Sequence, residues 1–377
     1  MGSQSCKRIR ILSFQNAYNF GAVLQAYGLQ QTIMSMGYDD VKFINYNPKY
    51  LRDRYNPFAK GYLLPYKTLK GFICWSMQYP FFLINRLLRN KRIRSSIKKM
   101  LVQTDKLIVS EKDLCNEEAD VLICGSDQIW NTALTGSFDS VFFGNGPYGF
   151  LGYVASYAPS TELSSLTEER TKELCSLLNN FKYISVRETQ VKERLNKYTS
   201  KEIQVCVDPT LLCGVKPFEQ VASPRLEKRD YIVVYAYNPN DPTILEIIKS
   251  IPDYHNYPVH YILLGAKGRQ YFFDRNRHAA ISVSDFLSYI KYAKYSVTNS
   301  FHGLAFSLLF EKNFNVAYCE GKYVRCLSLL QQLGLENRFI KEPGKPRWDS
   351  LDYSVIKKKL GLVRIQSENY LKKVLEG

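Results

Sequence analysis

The chain has 377 residues, 45% of them hydrophobic and 23% charged, with 21 Gly and 15 Pro. That composition excludes the disordered, collagen-like and low-complexity classes and has material for two to three domains. Its 51 Lys and Arg against 35 Asp and Glu leave a net charge of +16, a surface that attracts phosphates, nucleic acid or anionic lipid.

Residues 9–14 form an apolar run, followed by a polar turn at 15–19. Residues 20–36 then carry Phe20, Val23, Leu24, Tyr27 and Met34 at helical spacing, and Gly37 stops the helix. Residues 41–46 read as a second strand, so the chain opens with a strand-helix-strand unit of a parallel α/β sheet. Strands at 121–124, 153–157 and 183–186, with a helix at 166–178, extend it. Pro217, Pro224 and mixed charge make 215–230 a linker. A second α/β half follows, with strands at 231–235, 259–264, 295–298 and 314–317 and helices at 242–249, 284–291 and 302–310. The Lys-rich tail from 353 has helical spacing and is expected to pack back on the first half. The expected organisation is an N-terminal Rossmann-like domain over 1–214, with a basic-aromatic insertion at about 59–100. A C-terminal Rossmann-like domain spans 226–345 and a helical tail 346–377, with a cleft between the two domains.

No run of about 18 apolar residues lacks charge, and the start MGSQSCKRIRILSF has no apolar signal region, so a cytoplasmic protein is expected. Nine cysteines without a C-x-x-C pair read as reduced thiols in packing positions. Between Arg86 and Lys99 stand seven cations and no acid, just after Phe72, Trp75, Tyr79, Phe81 and Phe82. Such a segment suits peripheral contact with the inner face of a membrane, or is a solvated helix face with its aromatics packed on the body. No helix-turn-helix, zinc-finger, RNP or KH signature is present, and nucleic acid is not an expected partner.

Polar clusters follow four strands: 15–19, the run from Gly125 to Asn131, Arg187-Glu188, and Asn299-Ser300-Phe301-His302-Gly303. Ligands of doubly wound folds bind there. His302 stands at a predicted helix N-terminus, which disfavours the imidazolium and offers N–H groups to an anion, suiting proton transfer beside a phosphate; capping or packing is the other reading. Arg187 ends an apolar strand, where a buried guanidinium needs a planar anion or a neighbouring acid such as Glu188. Asp127 is a base, a sugar-hydroxyl acceptor or a helix cap. Trp130 suits stacking on a sugar face or a place in the core. His255 and His260 read as surface residues, and Asp208-Pro209 as structural. Metal-ligand spacing is absent, as are G-x-x-x-x-G-K-[ST] and G-x-S-x-G. The G-x-G-x-x-G match at 144–149 contains Pro147 and opens no helix, so it reads as a loop.

Five segments in order resemble the motif series of the polysaccharide pyruvyl transferase family: 19–27 (NFGAVLQAY), 125–131 (GSDQIWN), 185–188 (SVRE), 208–212 (DPTLL) and 298–303 (TNSFHG). The resemblance implies a fold like the two-Rossmann glycosyltransferases (GT-B). It also implies transfer of pyruvate from phosphoenolpyruvate to two hydroxyls of a sugar, as a cyclic ketal, with no metal or redox cofactor. On that reading Arg187 and the helix start at His302 hold the anion. His302 is the general acid toward C3 of the enol and Asp127 the base or acceptor for the attacking hydroxyl. Asn19, Gly21, Ser126, Gln128, Trp130, Asn299, Ser300 and Gly303 line the substrate site. The acceptor is expected to be a lipid-linked precursor of a surface polysaccharide. Some similar members have an arginine two residues before the histidine, where this chain has Ser300; Lys267 and Arg269, or Lys322 and Arg325, are candidates to replace it. The rival readings are a nucleotide-sugar glycosyltransferase of the same fold and a non-catalytic carbohydrate-binding protein.

Overall fold

A computed structural model describes residues 7–58, 69–114, 118–144, 152–264, 274–341 and 346–377, without the side chains of 69–72, 74 and 75. In the first half β1 (Ile9–Leu12), α1 (Phe20–Ser35) and β2 (Val41–Phe43) form the opening unit, followed by α2 (Lys49–Tyr55) and a long helix α3 (Leu69–Met100). Then come β3 (Val121–Cys124), α4 (Thr132–Thr135), β4 (Tyr153–Ser156), α5 (Glu168–Leu177), β5 (Phe181–Val186), α6 (Thr189–Leu195) and β6 (Ile203–Val205). Two short helices, α7 (Pro209–Cys213) and α8 (Lys216–Val221), lead to the second half. This comprises β7 (Ile232–Ala236), α9 (Pro242–Lys249), β8 (Val259–Leu263), β9 (Arg277–His278), α10 (Val283–Lys291), β10 (Tyr295–Thr298), α11 (Phe301–Leu309), β11 (Asn313–Ala317), α12 (Tyr323–Leu333) and β12 (Phe339–Ile340). The final helix is α13 (Tyr353–Glu376).

The strands form two parallel six-stranded sheets, ordered β2-β1-β3-β4-β5-β6 and β12-β11-β10-β7-β8-β9. β1, β3 and β7 are buried along their whole length, as apolar strands covered on both faces must be. The order reverses at the β1–β3 pair and at the β7–β10 pair, and loops leaving such neighbours in opposite directions open a crevice at their carboxyl ends. These are the two Rossmann-like α/β units expected from the periodicity.

The two units share one apolar core. α1 buries both its sheet-facing side and the side toward the second unit, where Phe20 stacks on Phe286 of α10 at 4.8 Å. Phe286 in turn meets Tyr235 at the end of β7. The stretch 215–230 is therefore not a free linker. Pro217 falls in the first turn of α8, where a missing N–H costs nothing, and Phe218 buries between Tyr27 and Phe306. α13 ties both units together: Tyr370 donates to Ser156 O and Arg364 to Leu211 O, while Tyr353 donates to Lys312 O.

Among the described residues the cysteines form no disulfide, and no helix is long and apolar enough to cross a membrane. Gly144 ends a short 3-10 turn in the left-handed region, and the rest of the 144–149 match lies outside the described residues. One histidine differs from expectation: His255 is exposed, but His260 is buried, because β8 carries it under Tyr231 and Tyr289 with its Nδ1 2.9 Å from His278 Nε2.

Candidate active site

The site is assembled at the carboxyl ends of both sheets. Arg187 follows β5, and its backbone course carries the guanidinium toward the second unit, where it lies 4.6 Å above the ring of Phe301. Its Nε donates to Glu188 Oε1 at 2.9 Å and its Nη1 to Asp208 Oδ2 at 2.7 Å. Nη2 is buried and has no partner. Burial opposes the charge, but Glu188 and Asp208, with Asp127 beyond, outweigh it and hold the Arg187 pKa above its ordinary value. Glu188 also accepts from Ser160 Oγ through Oε1, while its Oε2 is buried without a partner.

Asp208 joins this cluster for a local reason. It is the N-cap of α7, with Oδ1 accepting from the backbone and hydroxyl of Thr210 at 2.9 and 2.7 Å. That fixes the carboxylate so that Oδ2 bonds Arg187 and faces His302, whose Nε2 lies 3.9 Å away, beyond hydrogen-bond reach. Burial works against its ionisation, yet His302, Arg187 and the Thr210 bonds prevail and keep the Asp208 pKa below the ordinary carboxylate value.

His302 sits in the first turn of α11, whose N-cap Ser300 makes no side-chain cap bond. The ring packs on α1 of the other unit: a Cβ built on Gly21 would lie 2.1 Å from His302 Nδ1, so only glycine leaves room for the imidazole. Burial lowers the His302 pKa; Asp208 and then Asp127 pull it up, Arg187 and Arg325 push it down by less, and burial prevails. The imidazole is neutral near pH 7, and its buried Nε2 has no hydrogen-bond partner.

Asp127 lies in the β3–α4 loop with φ of +65°, a left-handed conformation that Asp tolerates better than most residues. Its Oδ1 accepts from the backbone of Gln128. With its carbonyl oxygen toward Arg325, the Gln128 amide accepts from both terminal guanidinium nitrogens at 3.2 and 3.3 Å. Arg325 lies in the first turn of α12 and, with Arg187, Glu188, Asp208 and Phe301, borders a small cavity. On its other side a cavity of about 200 Å³ runs between residues 161–164 and Lys322, Tyr323 and Val324, with Glu188 bordering both. Lys322 lies over the Tyr237 ring at 4.2 Å.

Fold thus brings Asp127, Gln128, Arg187, Gly21 and His302 together. The other expected lining residues have internal roles. Asn19 caps α1 by accepting from Gly21 and Ala22. Ser126 donates to Ala158 O, and Asn299 holds the backbone of Tyr237. Gly303 lets α11 approach Thr298, and the Ser300 backbone N–H donates to Thr298 Oγ1. Trp130 is fully buried and stacks on Phe143 at 5.8 Å, so its ring is in the core and not in the cleft. Of the cations considered in place of Ser300, Arg325 reaches the site, while Lys267 and Arg269 lie outside the described residues. Asp208 is the main addition. The sequence reads Asp208-Pro209 as structural, which its capping of α7 bears out, but nothing local announces a partner 21 residues away on the neighbouring strand end.

Fold and cleft define a protein of two Rossmann-like units with a polar site of two arginines, a histidine and three carboxylates, partly unsatisfied, where their strand ends meet. The chain belongs to the polysaccharide pyruvyl transferase family, whose model matches residues 19–319. It is therefore a polysaccharide-modifying transferase. No curated protein matches the sequence. Among solved structures it is similar to a UDP-GlcNAc 2-epimerase from Methanocaldococcus jannaschii (13% identity, 98% of this chain and 99% of that one, TM-score 0.46). It is also similar to an Escherichia coli ADP-heptose LPS heptosyltransferase II (12%, 96% and 99%, TM-score 0.33). A third is a Thermobaculum terrenum O-GlcNAc transferase mutant (10%, 98% of this chain, TM-score 0.40), of which this chain spans 64%.

Proposed function

We propose that the protein transfers pyruvate from phosphoenolpyruvate to two hydroxyls of a sugar in a surface-polysaccharide precursor, closing a cyclic ketal. The observation that carries this is the buried Arg187 Nη2, unpartnered beside His302, whose pKa burial lowers. A small anion would supply Nη2 with an acceptor, and Arg325 and the start of α11 would share its charge.

The chemistry follows from the charges. Bound phosphoenolpyruvate adds negative charge next to a neutral imidazole and raises its proton affinity, so the donor loads its own acid. Protonated His302 gives a proton to C3 of the enol, making C2 electrophilic. A sugar hydroxyl bonds to C2 and loses its proton to Asp127. The second hydroxyl then displaces phosphate at C2, and its proton leaves with the phosphate. Asp208 compensates the charge of the imidazole while it is protonated.

Thermal denaturation with phosphoenolpyruvate, phosphate, pyruvate and nucleotide sugars tests this reading. Phosphoenolpyruvate at about a hundred times its dissociation constant is expected to add roughly 2.7 kcal/mol, lost in Arg187→Ala. Stabilisation by a nucleotide sugar alone would replace pyruvyl transfer by glycosyl transfer, and sugar binding without turnover would indicate a binding protein.

A further inference from the structure

We propose that the exposed face of α3 docks on an anionic lipid bilayer and sets the cleft against the membrane surface. One stripe of α3, Asn85, Arg89, Ile93, Ile97 and Met100, is buried. It fixes the helix across both units: Arg89 donates to Leu263 O at the end of β8 and lies over Phe20, and Arg92 donates to Ala280 O. Phe20 adjoins Gly21, which packs on His302. The anchor therefore lies at the strand ends that build the site.

The opposite stripe faces solvent and divides along its length. Ile73, Met77, Ile84, Leu87 and Leu88 are between 41% and 60% exposed, an unusual concentration of large apolar side chains on a helix surface. Beyond them Lys91, Lys98 and Lys99 are exposed, and among the described residues none of the three has an ion pair. No Asp or Glu occurs between Asp53 and Asp105. Apolar side chains reaching the acyl boundary and lysines at head-group level are the physical form of an interfacial helix. A second copy of the same face would set cation against cation, so the complementary partner is an anionic surface. This inference rests on the transfer reading only in giving docking a purpose, since a lipid-linked acceptor resides at a bilayer.

Co-sedimentation with phosphatidylcholine vesicles, with and without phosphatidylglycerol, tests the proposal, and phosphoenolpyruvate stabilisation is measured on the same samples. The protein should pellet with the anionic vesicles and be released by high salt. Ile84→Asp with Leu88→Asp, and separately Lys91→Glu with Lys98→Glu, should each weaken partitioning by on the order of tenfold or more. Melting temperature and phosphoenolpyruvate stabilisation should stay unchanged in both. No sedimentation of wild type, or partitioning untouched by both variants, would overturn it. So would a dimer in solution that Ile84→Asp with Leu88→Asp disperses. Lost phosphoenolpyruvate stabilisation with retained vesicle binding would sink the transfer reading and leave docking standing.

Discussion

Two buried histidine clusters in this molecule look alike and behave differently. At the edge of the second sheet, His260 and His278 share a hydrogen bond, with Glu227 3.5 Å from the other ring nitrogen of His260. At the cleft, His302 stands beside Asp208 and Arg187. Burial lowers the pKa in both clusters. The edge cluster is built within one unit and leaves His260 Nε2 short of a hydrogen bond, with the Glu227 carboxylate facing it. The cleft cluster draws on both units and leaves Arg187 Nη2, Glu188 Oε2 and His302 Nε2 without partners. A perturbed histidine is thus a poor marker of chemistry on its own, and unmet polar atoms at converging strand ends are a better one.

Removing Arg187 should separate the clusters most sharply. Arg187→Ala leaves Asp208 and Glu188 as buried, uncompensated carboxylates and should cost about 3–5 kcal/mol in denaturant unfolding, together with all phosphoenolpyruvate stabilisation. Arg187→Lys, which cannot span two carboxylates in a fork, should recover only part of either. A wild-type response in Arg187→Ala would remove the cleft from the account.

His302→Ala should lower pyruvyl transfer by roughly 10²–10⁴-fold while the fold survives, because only the acid is lost. In wild type, kcat/KM should fall as pH rises through a value below 6.5, since burial depresses the free-enzyme pKa. The corresponding fall in kcat should lie at higher pH, where the bound anion has raised it. Identical midpoints would contradict donor-assisted protonation. Gly21→Ala should act in the same direction with a smaller loss, by pushing the ring from its seat.

The edge cluster predicts a stability effect and no catalytic one. His278 is held down to about 4, mainly by burial and next by His260, against an ordinary 6.5. The unfolded chain takes up the proton first, so this contribution is complete above pH 6.5 and is lost as pH falls toward 4. It is worth about 3 kcal/mol. His278→Phe should flatten that part of the stability curve without altering turnover near neutral pH, and an unchanged acid dependence would refute the assignment.

The contrast also explains what was legible in the sequence. Strands such as 121–124 and helices such as 242–249 follow from periodicity and turn residues, and His302 and Arg187 follow from their place after strands. Glu188 follows too, as the adjacent acid that pairs with Arg187, but the more distant partners do not. Asp208 meets Arg187 only because β5 and β6 are neighbours, and His260 meets His278 only because β8 pairs β9. Gly21 is placed at the site by the family resemblance, but its task of making room for the His302 ring shows only once α11 of the other unit packs against it. Trp130 could belong to the cleft or the core by sequence, and the aromatic neighbours Phe143 and Phe181 decide for the core.

The claim that the donor charges its own acid is tested most directly by proton uptake. Calorimetric titration with phosphoenolpyruvate near pH 7, in buffers of different ionisation enthalpy, counts the protons bound on association. Wild type should take up a substantial fraction of a proton more than His302→Ala. Equal uptake by the two proteins, with binding intact in both, would contradict the account.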